Sequence, residues 1–489
     1  MERPPGRLRI PDEEEEGTLG FIALWATSFL GALAALGLAA VVAVALARRG
    51  LDFIVDHLLV RLLKDPYPEN LWDLVVGMTR VPPHNLLELE LRAERGELLE
   101  RPLGSVVRTA GFQHVAFNPA QLARKPLGPR AAVDTSVVIG PYAVRPLRLE
   151  TPIMVSAMGF GVGVSRPVAL ALARGAAAAG AAFNAGSGPL LPEVAQANPR
   201  LVIQYSGAAW SREPDTLKAA RMVEVRLGHG GRASLGRVLR AVDVPEDARR
   251  RMGVAEGEEV VLEAPVPGAA DPEELRRTVL DLHVKTRGVP VGVKLAATQD
   301  LEYELQAAIE AGVDFIAIDG TEGGTHASPP VIADDFGIPT AHALVRAVRF
   351  LEMVGVRHRI SLIVGGGLRT PAEMLKALAL GADAVYIGMA ALMAVGHRQL
   401  SRAVPFEPIT TLVFARGRHA DEFDADLGAR SLGNFLRACT AEMAEAARAL
   451  GRKSIREIGP KDLVALNREA AEIFGLPPSW RPSRGSPAS

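Results

Sequence analysis

Three consecutive glycines, Gly365, Gly366 and Gly367, follow an apolar run that is typical of a strand. A second apolar run, further along the chain, ends at Gly388 and Met389. Glycine is unfavourable inside strands, so a triplet at a strand end indicates that another group approaches the backbone closely. Backbone N–H groups and the start of a helix attract an anion at such a turn. We predict a phosphate site here; the alternative is a tight turn that binds nothing.

Polar residues stand at the ends of five other apolar runs, namely Ser156, Asn184, Gln204, Lys294 and Asp319. Carboxamides both donate and accept hydrogen bonds, which suits the edge of a flavin pyrimidine ring. A buried lysine suits the negative charge that develops near N1 of that ring on reduction. Each residue alone could be a satisfied polar group at a barrel rim. As a set beside a phosphate site, they predict FMN as the cofactor.

These residues must be positioned by an alternation of strands and helices. Eight apolar runs are typical of strands: PIMVSAM, AAFNAG, LVIQYS, MVEVRLG, VPVGVKLA, FIAIDG, SLIVGGG and AVYIGMA. Most are separated by Ala/Leu-rich segments with helical spacing, several of which end in a glycine. Eight such repeats predict an α/β fold, a (β/α)8 TIM barrel, over residues 137–400. A doubly wound open sheet is the alternative, but no dinucleotide fingerprint follows the first strand. The glycine turns would then follow strands seven and eight, where barrels commonly bind phosphate.

Composition excludes several classes of protein. The 489 residues carry a formal net charge of −1, and no dense Lys/Arg stripe supports nucleic-acid binding. A single cysteine, Cys439, excludes an internal disulfide framework and any thiolate-ligated zinc or iron–sulfur site. No metal site is predicted.

The stretch 18–47 contains no charged residue and exceeds the roughly twenty residues that a helix needs to cross a bilayer. A cleaved signal peptide is the alternative, but the preceding flank is acidic and the run is long for one. We predict a single transmembrane helix, with Arg48 and Arg49 on the cytoplasmic side by the positive-inside rule. The protein would then sit in the cell's inner (plasma) membrane with its catalytic domain in the cytoplasm.

The remaining chain divides by composition. The expected parts are an acidic tail (1–17), a mixed region packing on the barrel (48–136), a barrel insertion (229–271), a C-terminal helical extension (401–476) and a disordered tail (477–489).

The stretch from Pro152 to Ala390 resembles the FMN-binding domain of the glutamate synthase family, including stand-alone, membrane-anchored homologues. The resemblance is carried by PIMVSAMGFGVGVS, AAFNAGSGPLLPE, NPRLVIQYSGAAW, EVRLGHGGR, GVKLA, DFIAIDGTEGGTHASP and the run from SLIVGGG to GMAAL. Within these motifs Met158, Gly323 and Gly324 are added to the expected cofactor-binding residues.

The resemblance implies that reduced FMN delivers a hydride to 2-iminoglutarate, made from 2-oxoglutarate and ammonia. The family's Lys-x-Gly-Gln-Gly-x-Lys stretch, which lies by the oxo-acid site, corresponds here to Arg226, His229 and Arg232. Arginine keeps the charge and can bind a carboxylate through two hydrogen bonds. The change of Gln to His229 leaves the exact substrate open, and a loop histidine without a role is the alternative. Lys294 and Glu322 complete the expected catalytic set, although Glu322 could orient substrate or hold its loop.

The sequence departs from the family at four places. No glutaminase domain with its cysteine nucleophile precedes the barrel, so a separate ammonia source is expected. Ala185-Gly186-Ser187-Gly188 replaces a Thr-Gly-Glu-Gly element, so the acidic residue associated with coupling the two sites is missing. The three cysteines that hold an iron–sulfur cluster after strand eight are absent, and no cluster is expected. Finally, no NADPH-binding module is present, so a separate electron donor is expected.

The sequence leaves three hypotheses about the function. The first is a membrane-anchored FMN-dependent oxidoreductase acting on CH–NH2 donors, with an oxo acid/amino acid pair as substrates. The second is an FMN oxidoreductase with an unrelated substrate, such as a nucleotide dehydrogenase. Those enzymes need a cysteine nucleophile in a barrel loop, whereas Cys439 lies in a late helical stretch. The third is a non-catalytic flavin-binding subunit of a membrane complex.

Overall fold

The computed structural model describes residues 13–66, 70, 78–79, 81–107, 111–399 and 408–482, without the side chains of 13–34. The chain forms two compact units, Met1–Glu97 and Leu98–Ser489.

The first unit contains helices α1 (Glu13–Lys64) and α2 (Pro83–Arg95). Helix α2 ends at Gly96, whose φ of 60° gives the left-handed C-cap that glycine adopts without strain. The predicted transmembrane stretch 18–47 falls within α1, but the described residues include no helix of sufficient length and apolarity to span a bilayer. The transmembrane helix is therefore not supported, although the side chains of 18–34 lie outside the described part. The acidic tail expected over 1–17 also lies mostly outside it.

The strands of the second unit are, in chain order, β1 (Val115–Phe117), β2 (Val137–Ile139), β3 (Leu147–Leu149), β4 (Ile153–Val155), β5 (Phe183–Asn184), β6 (Leu201–Tyr205), β7 (Met222–Arg226), β8 (Arg237–Leu239), β9 (Val260–Leu262), β10 (Val291–Ala296), β11 (Phe315–Asp319), β12 (Ser361–Gly365), β13 (Ala384–Ile387) and β14 (Leu463–Ala465).

Its helices continue the numbering as α3 (Arg166–Ala178), α4 (Pro192–Ala197), α5 (Pro214–Lys218), α6 (Glu246–Met252), α7 (Pro272–Lys285), α8 (Leu301–Glu310), α9 (Pro330–Asp335), α10 (Thr340–Met353), α11 (Pro371–Ala379), α12 (Met389–Val395), α13 (Thr410–Val413), α14 (Ala425–Ala449) and α15 (Arg468–Phe474).

Eight parallel strands close into a barrel in the order β4-β5-β6-β7-β10-β11-β12-β13, with β13 returning to β4. The closing pair places Tyr386 opposite Met154. Each of the eight apolar runs identified in the sequence supplies one barrel strand. The runs are apolar because parallel strands are covered on both faces, by the barrel interior and by helices. The predicted (β/α)8 barrel is confirmed.

The loop after the fourth barrel strand, β7, is long and partly folded. Residues 229–271, expected as an insertion, contain the antiparallel hairpin β8–β9 and helix α6. This loop lies at the carboxyl end of the strands, the face on which barrel enzymes carry their chemistry. The hairpin brings Arg237, at the start of β8, to that face.

The C-terminal extension packs on the barrel through α14, which lies against α3. A Cβ atom on Gly175 of α3 would stand 2.8 Å from the Ala429 carbonyl oxygen and from the Leu432 side chain. The absence of a side chain there allows the two helices to approach closely.

The extension is not purely helical. Its strand β14 pairs antiparallel with β1 from the region before the barrel, with Val115 opposite Ala465. The backbone N–H of Ala465 also donates to the Pro477 carbonyl, and Pro478 forms a bridge with Ala465. Residues 477–479, at the start of the tail expected to be disordered, thus have backbone partners in β14; residues 483–489 lie outside the described part.

Candidate active site

A cleft opens at the carboxyl ends of the barrel strands, with about 1380 Å³ of free space that includes its open mouth. Residues from β6, β7, β10, β11, β12 and β13 and from the loops that follow the strands line this cleft. A site assembled from so many strand ends is held rigidly, because each residue is fixed by the barrel's hydrogen-bond ladder.

The glycine turn after β12 lies against neighbouring loops. Gly366 and Gly367 have φ values of 118° and 69°, which favour glycine over any residue with a side chain. A Cβ atom on Gly365 would stand 2.5 Å from Oδ1 of Asp319, so this glycine makes room for that carboxylate. At Gly388, in contrast, a Cβ atom would meet no protein atom within 4 Å. All four glycines line the cleft, and Gly388 faces empty space in which a ligand group fits.

Two helices begin beside this turn. Helix α11 starts with a capping box, in which the Thr370 side chain accepts from the Glu373 N–H and the Glu373 side chain accepts from the Thr370 N–H. Helix α12 starts directly after Gly388, its N-cap residue, and its first residue, Met389, lines the cleft. The capping box fixes the path of the chain between the glycine turn and α11.

Lys294 of β10 is the buried cation at the floor of the cleft. Its side chain is 2% exposed, and its Nζ lies 3.1 Å from Oδ2 of Asp319 on the adjacent strand β11. The Nζ atom also lies 4.8 Å from the centre of the Tyr386 ring, within cation–π range. Burial opposes the charge, but the carboxylates of Asp319 and Glu224 outweigh it and raise the pKa of Lys294. Lys294 therefore carries a positive charge under the cleft.

Glu224 of β7, which sequence reasoning missed, is the hub of the buried polar layer. It is fully buried, and its Oε1 accepts hydrogen bonds of 2.8 Å from Asn184 Nδ2 and from Gln204 Nε2. Its Oε2 atom is buried with no hydrogen-bond partner in the described structure. A charged residue within an apolar strand run was the available signal, because carboxylates are rarely buried without partners.

The polar strand ends predicted to hold the cofactor divide into two groups. Ser156, Met158 and Gln204 line the cleft, as do Lys294 and Asp319. Asn184 is fully buried below them, where its Oδ1 accepts from the Gly186 N–H and its Nδ2 lies 3.3 Å from the Tyr386 hydroxyl.

Gln204 is held by contacts on both ends of its carboxamide, because its Oε1 accepts from the Ser187 hydroxyl at 2.8 Å while its Nε2 donates to Glu224. This pair of contacts fixes the orientation of the amide at the cleft floor.

Arg226, His229 and Arg232 all line the cleft, and both arginines lie near enough to His229 to act on its charge. The Arg232 guanidinium donates to the carbonyl oxygens of Ala327 at 2.9 Å and Gly236 at 3.2 Å. Burial and the neighbouring Arg232 lower the pKa of Arg226 to about 10, and burial lowers the pKa of Arg232. Both guanidinium groups stay charged at neutral pH, because arginine remains protonated in proteins.

Nδ1 of His229 lies 2.8 Å from the Gly230 carbonyl, to which it can only donate. Burial, Arg226 and Lys294 lower the pKa of His229 well below its usual value, so the ring is neutral. A neutral ring that donates through Nδ1 keeps the lone pair of Nε2 as an acceptor.

Glu322 lines the cleft and also holds its loop. Its Oε2 accepts from the backbone N–H of Thr340 at 2.9 Å and from the Thr340 hydroxyl at 2.7 Å, at the first residue of α10. The adjacent Gly323 packs against Gly230, where a Cβ atom would stand 2.6 Å from the Gly323 Cα. Gly324 likewise lies against Gly104. These glycines serve close loop packing as well as lining the cleft.

Arg237 and His326, both missed by sequence reasoning, line the cleft beside Arg232. Nη1 of Arg237 lies 3.3 Å from Nδ1 of His326, and Nη2 lies 3.4 Å from Oε2 of Glu100. Burial lowers the pKa of Arg237 to about 10, and burial and Arg237 lower that of His326 well below its usual value. His326 stood within a recognised motif, but only the fold brings the hairpin residue Arg237 next to it.

Cys439 lies in α14, where it is buried in the core. Burial raises the pKa of its thiol to about 11, which disfavours the reactive thiolate.

The model of a conserved region in glutamate synthase matches residues 117–453. The glutamate synthase large subunit-like protein of Rhizobium meliloti is 31% identical over 425 residues, which cover 82% of this chain and 96% of that protein.

Two further relatives carry related names. The archaeal-type glutamate synthase [NADPH] of Thermotoga maritima is 29% identical over 81% of this chain and 83% of its own length. The archaeal glutamate synthase [NADPH] of Archaeoglobus fulgidus is 32% identical over 68% of this chain and 63% of its own length.

Proposed function

The chain belongs to the glutamate synthase family, and we propose that it is an FMN-dependent oxidoreductase of glutamate synthase type. The observation that carries the proposal is one cleft that combines a strand-end glycine facing empty space, Gly388, with a buried lysine and two charged arginines. The substrate pair is 2-oxoglutarate, or a related oxo acid, and the corresponding amino acid.

The residues present fit FMN. The space above Gly388, between the glycine turn and the start of α12, suits a phosphate group, because backbone N–H groups there are not covered by a side chain. Met158 and Gln204 supply an apolar and a carboxamide surface in the same cleft. When bound, FMN would supply hydride transfer to or from the substrate. The charge on Lys294 would favour an anionic ring, and its contact with Asp319 holds the ammonium in place.

Arg226 and Arg232 would bind the substrate carboxylate. Both guanidinium groups lie in the cleft and donate to backbone carbonyls, which leaves further N–H donors for an anion. Partial burial strengthens such contacts, because water competes less for the donors.

His229 would bind the reacting nitrogen. With Nδ1 committed to the Gly230 carbonyl, its Nε2 accepts a hydrogen bond from an N–H group of ammonia or of the imine. The neutral state of the ring is required for this role, and the surrounding positive charges maintain it.

Two partners of the enzyme are expected from the sequence alone. A separate electron donor and a separate ammonia source would supply the reaction, and no iron–sulfur cluster would take part. Attachment to the inner membrane through residues 18–47, with the barrel in the cytoplasm, stays a prediction. Fractionation of the full chain, with a variant lacking residues 18–47 as the control, tests the location.

The reverse reaction tests the proposed function. The purified protein, loaded with FMN, is mixed anaerobically with glutamate while flavin absorbance is followed. Bleaching by glutamate, and its loss in Arg226→Gln, supports the proposal. A matched variant, Arg174→Gln, removes an exposed ion pair with Asp426 and should react as the wild type does. If FMN binds but is not reduced by glutamate, the substrate assignment is wrong. If the protein does not bind FMN, the proposed enzyme class is wrong.

A further inference from the structure

Arg237 is a buried cation that the proposed reaction does not yet use. Its side chain is 6% exposed and its Nε atom is buried without a hydrogen-bond partner in the described structure. Among the described residues its one ion pair is with Glu100, at a long N–O distance of 3.4 Å, and the Glu100 side chain is 38% exposed. A buried guanidinium normally makes closer and more complete contacts than these.

Positive charge is in excess around Arg237. Arg226, Arg232 and Arg237 all line the cleft, yet among the described residues only Arg237 of the three has a direct carboxylate partner, Glu100. The Nε atom of Arg232 is also buried without a partner in the described structure. One carboxylate of a substrate accounts for Arg226 and Arg232, so Arg237 is available for a second anionic group.

His326 adds a neutral donor next to Arg237. A guanidinium can only donate, so Nδ1 of His326 accepts from Arg237 and Nε2 carries the ring proton. This Nε2 is buried with no partner in the described structure. The pair therefore offers only donors beyond its internal contact, which suits an anion.

Glu100 is held near Arg237 by its neighbours in the chain. Arg101 forms two backbone hydrogen bonds with Ser328, and the Leu103 N–H donates to the Thr325 carbonyl. The hydroxyl of Ser105 donates to Asp334 at 2.7 Å. Residues 101–105 thus lie along the loop that carries His326, and the Glu100 carboxylate reaches the guanidinium from the edge of the cleft.

We propose that Arg237 and His326, beside Arg232, form a second carboxylate subsite, which selects a dicarboxylic substrate over a monocarboxylic one. Without substrate, the Glu100 carboxylate is paired with the Arg237 guanidinium. When substrate binds, its distal carboxylate takes the place of the Glu100 carboxylate. This inference rests on the proposed function, since it assigns the second anionic group of the same substrate.

Equilibrium binding to the purified full-length protein tests the subsite. Isothermal titration calorimetry compares 2-oxoglutarate with 2-oxovalerate, which has the same carbon chain but one carboxylate. The wild type should prefer 2-oxoglutarate by about tenfold or more, and Arg237→Gln should lose that preference without changing the affinity for 2-oxovalerate. Glu100→Gln should bind 2-oxoglutarate severalfold more tightly, because it no longer competes for Arg237.

The remaining outcomes decide against the subsite. Equal binding of both acids by the wild type would leave the proposed function standing and overturn the subsite. Binding of neither acid would overturn both. Equal weakening of both acids in Arg237→Gln, with Arg174→Gln unchanged, would make Arg237 a purely structural residue. If Arg237→Gln does not fold, the Glu100→Gln variant provides the test. Unchanged or weaker binding of 2-oxoglutarate by Glu100→Gln would contradict the proposal.

Discussion

At the scale of single residues, the cleft is built on buried charges that have specific partners. Lys294, Asp319 and Glu224 lie on three adjacent barrel strands, and each is less than 10% exposed. Removing one member of such a group leaves the others buried without compensation, which costs far more than an exposed ion pair gains. Substituting one of these three residues should therefore lower the free energy of unfolding more than substituting a residue of an exposed ion pair.

The substitution Lys294→Met should lower the free energy of unfolding by about 3–5 kcal/mol, because it leaves Asp319 and Glu224 uncompensated. The exposed pair of Lys285 with Asp281 provides the control, and Lys285→Met should cost less than about 1 kcal/mol. Urea unfolding measures both. Equal costs for the two variants would contradict the role of Lys294 at the cleft floor.

The substitution Gly388→Ala should leave stability unchanged and weaken FMN binding by about tenfold or more, because the new methyl group enters the empty space of the cleft. The backbone φ of −109° at this position accepts alanine. Gly128→Ala, where a Cβ atom also meets nothing within 4 Å, is the matched control. Fluorescence titration with FMN gives the affinities, and wild-type affinity in Gly388→Ala would contradict a phosphate site at this turn.

The sequence identified residues at strand ends better than residues within strands or in the hairpin. Lys294, Gln204 and the glycine turn were found because the barrel rule predicts which strand ends meet. Glu224 was missed because one charged residue in a run such as MVEVRLG is also what a solvent-facing strand position shows. Arg237 was missed because its place depends on how the insertion folds back, which local patterns do not encode.

At the scale of secondary structure, loops around the cleft are fixed by helix starts. Glu322 accepts two hydrogen bonds at the first residue of α10, and Glu373 closes a capping box at α11. A carboxylate at a helix N-terminus satisfies unpaired N–H groups and interacts favourably with the helix dipole. Of the two roles considered for Glu322, its contacts support holding the loop.

Glu322→Ala and Thr340→Ala should each lower the free energy of unfolding by about 1–2 kcal/mol, since both remove the hydrogen bond from the Thr340 hydroxyl to Glu322, while the bond from the Thr340 backbone N–H is lost only in Glu322→Ala. The double variant should cost about 1 kcal/mol less than the two single costs combined. Urea unfolding of the four proteins measures this coupling. Strict additivity would show that the Glu322–Thr340 contact does not hold the loop.

The pairing of strand β14 could not be predicted from the sequence. The eight barrel strands follow from repeated apolar runs separated by helices, a signal that recurs along the chain. The pairing of β1 with β14 joins three-residue strands from opposite ends of the second unit. Strands this short carry no periodicity of their own, so their pairing follows from packing on the finished barrel.

At the scale of the whole second unit, Asp462 ties the regions before and after the barrel together. Its side chain is fully buried, and it is paired with Arg124 before the barrel and with Arg452 after α14. Its Oδ2 also accepts from the Gly459 N–H at 3.1 Å. Burial would raise the pKa of Asp462, but Arg452, the Gly459 N–H and Arg124 together lower it below its ordinary value.

The pH dependence of stability should report this carboxylate. Because its pKa is lower in the folded than in the unfolded state, its contribution is fully present above about pH 4 and is lost as the pH falls through the folded-state pKa. Asp462→Asn should cost about 3 kcal/mol at pH 7 and flatten the acid limb of the stability curve. Asp426→Asn, at an exposed pair, should leave both unchanged. An acid limb in Asp462→Asn as steep as the wild type's would contradict this account.

The measurement that tests the central claim most directly is anaerobic reoxidation of the protein with reduced FMN by 2-oxoglutarate and ammonium, with glutamate quantified by mass spectrometry. We expect the flavin absorbance to return in the presence of both compounds, with one glutamate formed for each flavin reoxidised. Arg226→Gln should abolish this reoxidation, while Arg174→Gln should not. Flavin that stays reduced with both compounds present would contradict the assignment to glutamate synthase-type chemistry.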